Sequence, residues 1–100
     1  MKAKKKILTK TNNVMSKLLL DGIIEYYKED TFVSLDGLEN AVIGVYENEM
    51  VLVYSITKII ETFMKRDKMD LEEAEEFFTF NVQNASYPKQ PIFVEDRLWL

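Results

Sequence analysis

The chain has no cysteine and no histidine, and these two absences leave its chemistry almost blank. Without cysteine, its 100 residues form neither a disulfide framework nor a thiolate metal site. The sequence also has no glycine-rich phosphate loop and no nucleophile placed beside a base. A chain without disulfides is compatible with a reducing cytosol, and we predict a cytoplasmic protein.

Long hydrophobic runs are also missing. The longest uninterrupted apolar stretches span a few residues, as at Met50–Tyr54, whereas a transmembrane helix needs about 20. The N-terminal MKAKKKIL begins like a secretory signal, but polar TKTNN follows where an apolar core is required. We therefore expect neither a membrane span nor a signal peptide.

The residues that are present suit one folded domain with a basic arm. Hydrophobic residues make up 47% of the sequence, so burial can offset the entropy of ordering. We predict a single domain over residues 11–100, preceded by an arm over residues 1–10. The domain holds eight cations against seventeen acids and so carries −9, whereas the arm carries +5. The arm's lysines are Lys2, Lys4, Lys5, Lys6 and Lys10.

Strand signals lie mainly in the middle of the chain. The β-rich runs Ala41–Tyr46 and Met50–Tyr54 flank a short turn, which predicts a hairpin with Asn48 in a left-handed conformation. Thr31–Leu35 is compatible with a strand or an extended connection, and residues 7–10 with a strand or a tail. Pro91–Glu95 predicts a last strand, because proline is tolerated at a strand's first position.

Three helices are predicted. Apolar residues cover more than half the circumference of the first, residues 13–28, so it lies either centrally or against a partner. The second begins after a Ser55 cap and runs to about Asp67 with an apolar stripe. Ser55 also matches an S-x-x-K pattern, which we assign to capping because the partner motifs are missing. These elements predict an α+β fold, a small mainly antiparallel sheet of three or more strands with about three helices packed on it.

The third helix begins at Asp70, where Glu73 completes a capping box. Its predicted buried stripe comprises Leu71, Ala74, Phe78, Val82 and Ala85. Asn81 falls on the same face, so we predict a buried amide that is hydrogen-bonded to a neighbouring backbone, with a ligand-contacting role as the alternative.

Two surfaces are predicted to contact partners. The first, the acidic face, is either a solvated helix start or a docking face for a basic partner, and it comprises Glu72, Glu73, Glu75 and Glu76. Its carboxylates converge poorly on one point, so we predict no metal, cofactor or catalytic residues there. The second is a possible homodimer contact on the first helix, comprising Leu19, Leu20, Ile23, Ile24 and Tyr27.

The C-terminal half contains a hairpin, an EEA.E.F.FN helix and a PIF strand over roughly residues 36–96. The residues of this pattern are Ile43-Gly44-Val45, Val51–Tyr54, Glu72-Glu73-Ala74, Phe78, Phe80-Asn81, Ala85 and Pro91-Ile92-Phe93. The pattern resembles that of small, largely uncharacterised proteins encoded by bacteriophages and some bacteria. The chain departs from the pattern where Tyr87-Pro88-Lys89-Gln90 replaces a glycine turn. The resemblance implies a phage or mobile-element source and supplies no catalytic residues.

Two functions remain open. The first is a phage-type interaction protein that binds and inhibits a host protein such as a defence or nucleic-acid enzyme, acting in the host cytoplasm. The alternative is a nucleic-acid-associated regulator that uses the lysine arm, although a domain charge of −9 repels phosphates. An enzyme is the least favoured reading because no catalytic set is visible.

Overall fold

Three α-helices and two small β-sheets make up the described part of the chain, residues 3–4 and 14–97 of a computed structural model. In chain order the elements are β1 (Ala3–Lys4), α1 (Val14–Tyr26), β2 (Ser34–Leu35), a 3₁₀ turn (Glu39–Ala41), β3 (Val42–Tyr46), β4 (Val51–Ser55), α2 (Ile56–Arg66), α3 (Leu71–Phe77), a π-helix (Phe78–Gln83) and β5 (Ile92–Val94). The larger sheet has the order β3-β4-β5, and its longer ladder is antiparallel. The predicted α+β class is therefore confirmed.

The predicted hairpin is formed by β3 and β4. The two strands pair in antiparallel register, with Tyr46 opposite Val51, and a bulge interrupts the ladder near Gly44. The left-handed residue of the turn is Met50, with φ 50°, so the prediction for Asn48 is wrong. The Met50 N–H donates to the Glu47 carbonyl over 3.3 Å, which closes a tight turn whose last residue takes the positive φ.

The predicted last strand is present as β5, and it runs parallel to β4. Val53 lies opposite Ile92 and Ser55 opposite Val94. Parallel neighbours require a long crossover connection, and here α2, α3 and the π-helix supply it. β5 thereby reaches the N-terminal end of α2, where the residues that follow the strand contact the helix.

One hydrophobic core joins the three α-helices to the larger sheet. α1 contributes Leu20 and Ile23, while β4 contributes Leu52 and Tyr54. The broad apolar surface of α1 is thus partly covered by its own chain. Leu19 remains 40% exposed, and Tyr26 at the end of the helix is 78% exposed.

A buried hydroxyl ties the hairpin to β2. The Tyr54 ring is fully buried in the core, and its hydroxyl oxygen accepts the Leu35 N–H over 2.8 Å. Burial raises the pKa of Tyr54 above its usual range, so the hydroxyl keeps its proton. This contact attaches the short strand β2 to the core.

We expect Tyr54→Phe to lower the free energy of unfolding by about 1–3 kcal/mol, because the Leu35 N–H stays buried after its acceptor is removed. Urea denaturation followed by circular dichroism measures the loss. Tyr46→Phe is the matched control, since the Tyr46 hydroxyl is bonded at the surface to Asn48, and its effect should stay within about 0.5 kcal/mol. Equal losses in both variants would contradict a structural role for the Tyr54 hydroxyl.

The third helix widens after its second turn. α3 ends at Phe77 and continues as the π-helix, in which the Asn84 N–H reaches the Thr79 carbonyl over 3.2 Å. In this wider turn Val82 stays buried together with Phe78, whereas Asn81 is rotated out of the α-helical stripe. Asn81 is therefore exposed, so the prediction of a buried amide is wrong. Leu71, predicted in the same stripe, is also exposed.

Part of the basic arm is attached to the domain. Within the described residues, Ala3 pairs with Leu35 and Lys4 with Ser34 in an antiparallel ladder. The other arm lysines and the possible strand at 7–10 lie outside the described residues. The nucleic-acid role of the arm therefore stays a prediction.

Candidate partner-binding surface

The start of α3 is fixed by the capping box that the sequence predicts. Asp70 Oδ1 accepts the Glu73 N–H over 2.8 Å, and Glu73 Oε1 accepts the Asp70 N–H over 3.0 Å. Ala74 is fully buried on the inner side of the helix. The opposite side, which carries most of the acidic face, is thereby held toward solvent.

The acidic face divides into bonded and unbonded carboxylates. Glu75 forms an ion pair of 3.1 Å with Arg97, which also donates to Glu95. Hydrogen bonding to Arg97 holds the pKa of the Glu95 carboxyl below its usual value. Glu72 and Glu76 are exposed and have no hydrogen-bond or ion-pair partner among the described residues. These two are the acids that a partner could engage without breaking an existing contact.

A shallow groove runs beside the acidic face. Its volume is about 330 Å³. The residues that line it, named here the α3 groove, are Met69, Glu73, Glu76, Phe77, Phe80 and Asn81. Phe77 is partly buried and meets the Phe63 ring edge-on, with centroids 5.0 Å apart. Phe80 instead lies 71% exposed at the wall of the groove.

The π-helix explains why Asn81 lies at this groove. An unbroken α-helix would keep Asn81 near the Phe78 and Val82 face, and both of those residues are buried. Widening the turn directs Asn81 outward, and π-helical turns are frequent at functional sites. The sequence signal for exposure was present in the three phenylalanines at 77, 78 and 80, which one narrow stripe cannot bury together.

The other predicted contact residues are divided between core and surface. Leu20 and Ile23 are buried within this chain, Ile24 and Tyr27 are partly buried against its core, and Leu19 is exposed. The Tyr27 hydroxyl donates to Glu47, and that hydrogen bond raises the pKa of Tyr27 to about 12. The homodimer through this set stays a prediction, and sedimentation of the protein at micromolar concentration tests it.

A second polar cluster joins β5 to α2. The Asp96 carboxylate accepts the Ser55 hydroxyl over 2.5 Å and the Thr57 N–H over 2.8 Å. Ser55 in turn accepts the Lys58 N–H over 3.1 Å as the N-cap of α2. The capping interpretation of Ser55 is confirmed, and every polar contact of the cluster serves the helix terminus. The role of Asp96 was not predicted from the sequence, because no short-range pattern links a residue after β5 to the start of α2.

No three or more His, Cys, Asp or Glu side chains among the described residues are grouped to hold a metal ion. In the same part of the chain, no helix is long and apolar enough to cross a membrane. No family model, no curated protein and no solved structure matches the chain.

Proposed function

We propose that this protein is a small, phage-type interaction protein that binds a host protein in the cytoplasm and inhibits it. The observation that carries the proposal is the α3 groove, which is lined by both the exposed Phe80 ring and the unpaired Glu76 carboxylate. Aromatic residues are enriched in protein interfaces, and Phe80 lies next to the partly buried apolar residues that line the same groove.

The charge of the surface indicates which host proteins it suits. Glu72 and Glu76 add to a domain that carries an excess of acids. Such a surface favours basic patches, including those with which nucleic-acid enzymes hold phosphates. A defence or nucleic-acid enzyme whose phosphate-binding surface is covered by this protein would lose access to its substrate. Inhibition by occupation of that surface requires no catalytic residue on this chain.

Affinity capture tests the proposal, with a variant that lacks two negative charges as the control. The wild-type protein and the Glu72→Gln/Glu76→Gln variant are immobilised and exposed to bacterial extracts at moderate salt, and retained proteins are identified by mass spectrometry. We expect the wild type to retain a basic nucleic-acid enzyme and the variant to retain at least about fivefold less of it, because the loss of two charges weakens charge-complementary association.

The captured enzyme then provides the functional readout. Its activity should fall as purified wild-type protein is added, and recover as salt is raised, because exposed charges are screened. Two results would contradict the proposal: no specific retention from any extract at moderate salt, or an enzyme that is retained and yet keeps full activity when saturated.

A further inference from the structure

We infer that the α3 groove binds an arginine-bearing segment of a partner protein, with the guanidinium group stacked on Phe80 and paired with Glu76. An aliphatic side chain next to the arginine lies on the floor formed by Phe77 and Met69. The inference rests on the proposed function and names the chemistry by which the partner is recognised.

The floor of the groove is already in place before any partner arrives. The Phe77 ring is held edge-on against Phe63, and Met69 packs partly buried against the core. The Met69 N–H also donates to the Phe63 carbonyl over 3.3 Å, which fixes the connection between α2 and α3. An apolar side chain that enters the groove therefore meets an ordered surface, and little ordering entropy is lost on binding.

Phe80 and Glu76 supply the two contacts that arginine combines. Both side chains line the α3 groove, Glu76 from α3 and Phe80 from the π-helix that continues it. A guanidinium group is planar, so it stacks on an aromatic ring and binds a carboxylate through two parallel hydrogen bonds. A lysine ammonium is a compact point charge and has no plane with which to make either contact. The pair is thus more selective for arginine than for positive charge in general.

The charges that line the groove exclude a phosphate-bearing ligand. Among the described residues, the lining includes two carboxylates, Glu73 and Glu76, and no lysine or arginine. Glu73 already accepts the Asp70 N–H, so Glu76 is the carboxylate that remains open to a partner. Asn81 adds an exposed amide, which can both donate to and accept from a peptide backbone. A cationic peptide segment satisfies all of these groups at once.

The size of the groove sets the length of the segment. Its volume of about 330 Å³ lies at the lower end of the range for ligand pockets. This space suits an anchor side chain with one neighbour, and it is too small to enclose a folded element. The remainder of the segment would lie outside the groove, in solvent.

Fluorescence anisotropy with defined peptides tests the inference. The probe is a fluorescein-labelled octapeptide with two arginines flanking two leucines in a glycine–serine background. Matched peptides carry lysine in place of arginine, or alanine in place of leucine. We expect the wild-type protein to bind the arginine–leucine peptide about tenfold more tightly than either matched peptide.

Variants of the protein distinguish binding in the α3 groove from attraction to the overall negative charge of the domain. Phe80→Ala and Glu76→Gln should each weaken binding of the arginine–leucine peptide about five- to tenfold. Glu72→Gln removes the same charge from the same helix outside the groove, and it should change binding less than about twofold. Circular dichroism confirms that each variant is folded, as expected for substitutions of exposed side chains.

Four results would overturn the inference: no binding by the wild type at millimolar peptide, equal affinity for the arginine and lysine peptides, equal losses for Glu76→Gln and Glu72→Gln, or unchanged binding by Phe80→Ala. A host enzyme that is captured equally well by Phe80→Ala would also overturn it and leave the proposed function standing. Conversely, groove-dependent peptide binding without any inhibited enzyme would support the groove assignment and remove the proposed function.

Discussion

Replacing Phe63 with alanine is expected to lower the free energy of unfolding by about 3–5 kcal/mol. The ring is fully buried and lies edge-on to Phe77, with centroids 5.0 Å apart. Its removal leaves a cavity where α2 and α3 meet, and neighbouring side chains in a close-packed core fill such a cavity only in part. Small domains have a total stability of about 5–15 kcal/mol, so the loss would be a large fraction of it.

Phe80→Ala is the matched control for this experiment. The same atoms are removed, but the Phe80 ring is 71% exposed, so the free energy of unfolding should change by no more than about 0.5 kcal/mol. Guanidinium denaturation followed by circular dichroism measures both variants. Similar losses would show that the two rings are buried alike in solution, which would contradict both the core position of Phe63 and the exposed position of Phe80.

Asp96→Ala is expected to lower the free energy of unfolding by about 2–3 kcal/mol. The Asp96 carboxylate accepts hydrogen bonds from the Ser55 hydroxyl and the Thr57 N–H. Ser55 is buried, and its hydroxyl would lose its acceptor, while α2 would lose a negative charge at its N-terminus. Asp21→Ala, at an exposed position of α1, is the control and should change stability by less than about 0.5 kcal/mol.

The contribution of Asp96 should depend on pH in a defined direction. Burial of the carboxyl opposes its ionisation, but the hydrogen bonds from Ser55 and Thr57 outweigh burial, so the pKa of Asp96 lies below its usual value of 3.8. A folded-state pKa below the unfolded-state pKa adds stability at higher pH, and this stability is lost as the pH falls from about 5 through the folded-state pKa.

The Asp96→Asn variant isolates the pH dependence that is due to Asp96 from that of the other titratable groups. Asparagine keeps the shape and one acceptor oxygen but cannot ionise. The wild type should be more stable than the variant at pH 7, and the difference should shrink as the pH is lowered from about 5 to 3. Denaturation midpoints measured across this range provide the test. A difference that stays constant with pH would show that the Asp96 charge does not contribute.

Elements defined by local patterns were predictable from the sequence. The stripe of α2 and the capping box at Asp70 depend on residues within one or two turns of each other, and both are found as predicted. The hairpin also follows from its two β-rich runs, although its turn places the positive φ at Met50. In each case the forces that decide the structure act between residues that are close in the chain.

The candidate site was predicted less completely, because it depends on a change of helical period. Glu72 and Glu76 are exposed as the sequence indicates, whereas the α-helical spacing placed Asn81 in the core. The position of the π-helix depends on packing around the buried Phe78 and Val82. It does not follow from a local residue preference.

The parallel pairing of β4 and β5 has a consequence for the order of folding. The hairpin and α2 are neighbours in the chain, whereas β5 closes a loop that contains α2, α3 and the π-helix. Contacts that close longer loops cost more chain entropy and form later on average. We therefore expect α2 to form before Asp96 arrives to complete its N-terminus. On this route, substitution of Asp96 would accelerate unfolding and leave the folding rate almost unchanged.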